Sequence, residues 1–105
     1  MEIKDLLPIG SIVKLKGAKR KVMIFGVMQN SPSQPGVVHD YISVAYPEGH
    51  FDPRLQIAFD DADIEEVVFR GYEDPDNERL KFLATLDMAK RLMDKKKESA
   101  KKSEV

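Results

Sequence analysis

Cysteine is absent from this 105-residue chain, and histidine occurs only twice, as His39 and His50. Without cysteine there is no disulfide framework, no thiolate-held metal and no thiol nucleophile. The two histidines stand apart, His39 at an outward strand position and His50 in a turn, and no spacing offers either an acid or nucleophile partner. Phosphate-binding glycine loops, zinc spacings, Ser-His-Asp sets and glycosidase-like carboxylate pairs are missing as well. These absences lead us to expect no enzymatic chemistry, no cofactor and no metal site. Long apolar runs are also lacking. The longest, Val22 to Met28, has the length of a strand, far short of the roughly 18 residues needed to span a bilayer. The opening Met1-Glu2-Ile3-Lys4-Asp5-Leu6-Leu7-Pro8 has no basic stretch followed by an apolar core, so it does not read as a secretory signal. A cytoplasmic protein with no membrane partner is the expectation.

The chain does have an ordinary globular composition, 42% hydrophobic, which suffices for one modest core. Its net charge of −1 is unevenly spread. Residues 1–22 carry six Lys/Arg against two acids, residues 23–80 three against twelve, and residues 81–105 eight against four. A nucleic-acid-binding barrel shows a clear basic excess, whereas the middle of this chain would repel phosphate. Segregated charge suits an oriented protein interface better.

Alternation of apolar and polar residues marks five strands between about residues 11 and 70. Leu6 to Gly10 is an apolar lead-in. Ser11–Lys16 places Val13 and Leu15 on one face. Val22–Met28 is apolar on both faces and reads as a central strand, with Gly26 allowing a bulge. Gln29–Gly36, rich in Pro, Ser and Asn, reads as a mobile loop. Val38–Tyr46 follows, then a Pro47–His50 turn. A fourth strand places Leu55, Ile57 and Phe59 on one face. Asp60–Asp63 is a loop or single helical turn. In a fifth strand, Ile64–Arg70, Val67 and Phe69 are expected to face the core. The period then changes. Asp74 suits an N-cap and Pro75 a first helical position, with Asp76 and Glu78 favoured by the dipole. Phe82, Leu86, Ala89 and Met93 recur at helical spacing, widened by Leu83 and Leu92. The expected architecture is α+β: a small antiparallel five-stranded curled sheet or SH3-like barrel followed by one C-terminal helix. It would be a single domain over residues 1–98, with the helix at about 75–97 and a disordered polar tail at 99–105.

Three clusters invite a chemical reading. Asp60, Asp61, Asp63, Glu65 and Glu66 are dense carboxylates, but an EF-hand loop starting at Asp61 would need Gly where Glu66 stands and Glu where Tyr72 stands. A solvated acidic loop is the better reading. Lys14, Lys16, Lys19, Arg20 and Lys21 form a basic hairpin, yet no aromatic alternates with them to stack bases. The apolar helix stripe is the third. Its first half is expected to pack on the sheet, and its second half to overhang and meet a partner, since Met suits adaptable surfaces. Two interface candidates follow: Met88, Leu92 and Met93 on the distal helix with the neighbouring sheet face, and Tyr41, Tyr46 and Phe51 as exposed aromatic anchors.

One long stretch is more specific than composition. Leu6-Leu7-Pro8-Ile9-Gly10-Ser11-Ile12-Val13-Lys14-Leu15-Lys16-Gly17, then Lys21-Val22-Met23-Ile24-Phe25-Gly26, resembles the opening of a small domain-of-unknown-function family of Gram-positive Firmicutes. The likeness continues through Asp40-Tyr41-Ile42, Tyr46-Pro47-Glu48-Gly49 and Ile64 to Tyr72. Members of that family are encoded beside type VII secretion genes, next to toxins with an N-terminal LXG domain. The resemblance implies a cytoplasmic chaperone or targeting factor that binds the helical N-terminal region of such a toxin, or of another helical secreted effector, before export. It carries over no catalytic, cofactor or metal residue. Two other classes compete: an immunity protein for a cognate toxin, and a small RNA- or ribosome-associated barrel.

Overall fold

Alternation gives strands where the sequence places them, and backbone pairing extends one pair further. The computed structural model describes residues 2–31 and 34–103, with side chains described for 2–30 and 35–92. The strands are β1 (Ile12–Leu15), β2 (Lys21–Ser31), β3 (Gln34–Ala45), β4 (Ile57–Phe59) and β5 (Ile64–Phe69), followed by one helix, α1 (Glu78–Ser103). The chain divides into two compact units. Leu6–Glu73 forms the first; Glu2–Asp5 and the chain from Asp74 onward form the second.

In the first unit the sheet order is β4-β3-β2-β1-β5, with every neighbouring pair antiparallel. β4 and β5 are the edges and do not pair with each other, so the sheet is open and the barrel alternative is set aside. Closure requires two edges able to bond along their length. Here β4 has three residues, and the β1–β5 pairing is broken twice by register shifts, leaving Glu65 and Val68 as extra residues.

Register places Val13 opposite Val22, Ile24 opposite Ser43, and Tyr41 opposite Phe59. All six of these side chains are buried. The lead-in covers this face: Leu6, Leu7 and Pro8 are buried, and the Leu7 N–H donates to Tyr41 Oη at 3.0 Å. Each fully buried aliphatic side chain stabilises the fold by roughly 1.5–3 kcal/mol. The bulge expected at Gly26 is present, since register shifts between Ile24 and Gly26 and leaves Phe25 as the extra residue. Glycine is required beside it because a Cβ at Gly26 would sit 2.7 Å from Ile42 Cγ2. Gly71, just after β5, is buried and donates its N–H to the buried Ser11 Oγ at 2.9 Å. A side chain there would collide with the carbonyl oxygen of Ile9.

Several expectations change. The stretch read as a mobile loop, 29–36, is largely a two-stranded arm in which Gln29 opposes His39 and Asn30 opposes Val38; residues 32 and 33 lie outside the described ones. Strand pairing uses main-chain groups and tolerates polar side chains. Pro35 and Gly36 fall in the register break between Asn30 and Ser31, where a missing N–H costs no ladder bond. Leu55 belongs to a 3-10 turn, Pro53–Leu55, because Asp52 caps that turn by accepting from the Arg54 N–H at 2.9 Å. β5 is an edge strand exposed beyond Ile64, so Val67 and Phe69 are not core: they are 44% and 57% exposed.

In the second unit α1 lies against the 3-10 turn Ile3–Asp5. Asp74 does cap the helix, its carboxylate accepting from Glu78 N at 2.5 Å and Arg79 N at 3.0 Å. The helix nevertheless begins at Glu78 rather than Pro75, because Asn77 takes a left-handed φ of 61°. Among the described side chains of α1 the buried one is Leu83, with Arg79, Leu86 and Asp87 half-buried beside it, whereas Phe82 of the expected inward stripe is exposed. The α1 backbone is helical through Ser103, where a tail without structure was expected from 99; residues 104 and 105 lie outside the described ones.

Candidate protein-binding surfaces

The outer side of α1 is the first surface. At about 100° per residue, Phe82, Thr85, Met88, Ala89 and Leu92 fall within about 120° of arc, opposite the stripe centred on Leu83. Phe82, Met88 and Leu92 are 56%, 66% and 58% exposed. Two of the expected anchors, Met88 and Leu92, therefore share one open face. The third, Met93, has its side chain outside the described residues.

The second surface lies in the first unit, around the turn after β3. The Tyr46–Pro47 bond is cis and Gly49 has a φ of 75°. The Gly49 N–H donates to the Ala45 carbonyl at 2.7 Å. Arg20 ties this turn to the β1–β2 connection by donating to the Tyr46 carbonyl and to the Glu48 carboxylate. Beyond it Phe51 is 65% and Tyr46 43% exposed. The Phe25 ring lies 6.1 Å from that of His50, whose Nε2 is 2.9 Å from Gln56 Nε2. Asp52 anchors the next turn. The Arg54 side chain and N–H beside it hold its carboxyl below the usual carboxylate range.

Tyr41 is not part of this surface. Expected as an exposed anchor, it is fully buried, with its ring 5.2 Å from Phe59 and its hydroxyl donating to Asp61 Oδ1 at 3.4 Å. Burial pushes its hydroxyl up to about 12, with the carboxylates of Asp61 and Asp40 adding to the rise and the Leu7 N–H opposing it. The run Tyr41-Ile42-Ser43-Val44 is buried on both faces, a pattern one-sided alternation does not convey.

The remaining charged clusters have structural roles. Asp60 accepts from the Asp40 N–H, Asp63 from the Asp60 N–H, and Asp40 from the Asp61 N–H, each at 2.9 Å. The acidic loop thus fastens the β3–β4 region through its own backbone amides. His39 Nδ1 lies 3.3 Å from Asp60 Oδ2. Among the described residues no group of three or more His, Asp or Glu is placed to hold a metal. In the basic hairpin, Lys14 pairs with Glu65 at 3.4 Å and Arg20 with Glu48. Sequence reasoning missed the exposed aromatics Phe69 and Tyr72 at the end of β5. The double register shift that turns this strand outward leaves no mark in its alternation.

Residues 6–80 match the family model described as Domain of unknown function (DUF4176). The chain belongs to this family. The matched region contains the whole first unit, with the Tyr46–Phe51 surface, and ends at the first turn of α1. No curated protein and no solved structure matches the chain. Among the described residues no helix is long and apolar enough to cross a membrane.

Proposed function

We propose that this chain is a non-enzymatic accessory protein of type VII secretion in a Gram-positive bacterium: a cytoplasmic chaperone or targeting factor that binds the helical N-terminal domain of an LXG-type toxin. Family membership and the resemblance of residues 6–72 to proteins encoded beside such toxins support the setting. The observation that carries the binding role is apolar exposure. Phe51, Phe69, Tyr72, Phe82, Met88 and Leu92 are each more than half exposed. Phe82, Met88 and Leu92 share one face of α1, and contiguous apolar exposure of that kind, unlike singly scattered residues, marks interaction sites. An RNA-binding role is disfavoured because Lys14 and Arg20 of the basic hairpin already face carboxylates.

The test is co-purification of the full chain with each half of a toxin encoded next to it. Retention of the N-terminal half is the expected result. Retention of the C-terminal, catalytic half alone would make this chain an immunity protein. Binding of neither half, together with nucleic-acid binding that weakens steeply with salt, would replace the proposal with an RNA-associated role.

A further inference from the structure

We draw no further inference here: the strongest candidate, the free edge of β5 where Val67, Val68 and Phe69 are exposed, is an unpartnered apolar edge blunted by its two register shifts against β1, and nothing in the structure shows what covers it.

Discussion

At the scale of single residues, the fold depends on polar groups that are few, buried and specifically paired. Tyr41 is the clearest case. Its hydroxyl accepts from the Leu7 N–H, so Tyr41→Phe leaves that buried donor without its partner. The expected cost is about 1–3 kcal/mol, read from urea midpoints. The same group predicts a pH dependence. Tyr41 ionises at about 12 in the native state against 10.0 for an ordinary tyrosine, so the folded protein holds a proton that the unfolded chain releases. The stability this contributes is complete below pH 10 and is lost as pH rises towards 12. Denaturation followed over that window should show a shallower fall in Tyr41→Phe than in wild type; identical slopes would mean the hydroxyl is solvated. Gly71→Ala probes a different constraint. Its Cβ would meet the Ile9 carbonyl and lie 2.9 Å from Ser11 N, both main-chain atoms that cannot rotate away. Overpacking of this kind costs about 1–3 kcal/mol, and rigid neighbours place the expected midpoint shift at the upper end.

At the scale of elements, Asp74 and the β2–β3 arm can be tested directly. Asp74 accepts from two helix amides, Arg79 and Glu78, which hold its carboxyl below the ordinary range. Its cap is therefore present above the usual carboxylate pKa and lost as pH falls through the depressed native value. Helix ellipticity at 222 nm should drop in Asp74→Ala and be largely kept in Asp74→Asn, which can still accept. The arm should show alternating slow amides across 27–30 and 38–41 in hydrogen exchange, with 35–37 fast; uniform fast exchange would restore the loop reading. These elements also mark where sequence reasoning works. Strand positions and the Asp74 cap were legible because alternation and capping are local. The arm was not, because pairing between Gln29 and His39 depends on neither side chain. Nor were the burial of Tyr41 and the exposure of Val67 and Phe69, because alternation defines two faces without saying which strand ends up central and which at an edge. Of the anchors read from sequence, Tyr46, Phe51, Met88 and Leu92 are exposed and Tyr41 is core.

At the scale of the whole molecule, charge and apolar area are separated along the chain, and they should govern different steps of binding. The balance is −9 over residues 23–80 and +4 over residues 81–105. Long-range charge sets how fast partners meet, whereas desolvated apolar anchors set how long they stay. Arg91 and Leu92 are neighbours, both exposed, and separate the two effects. Arg91 is 79% exposed at its side chain and pairs only with Asp87 across one helical turn among the ion pairs of α1 seen in the described residues. Arg91→Glu should therefore slow association with a net negatively charged partner several-fold at low salt, leave dissociation nearly unchanged, and lose its effect as the Debye length shrinks to about 3 Å near 1 M salt. Leu92→Asp should act in the opposite way, leaving the association rate within a few-fold and raising the dissociation rate by tenfold or more, equivalent to about 1.4 kcal/mol or more. Surface plasmon resonance with the N-terminal half of the proposed toxin partner, repeated across salt concentrations, measures both rates. If Arg91→Glu changes dissociation as strongly as Leu92→Asp, the cation is buried in the interface rather than at its rim. If neither substitution changes either rate, α1 is not the binding element, and the turn bearing Tyr46 and Phe51 becomes the surface to mutate next.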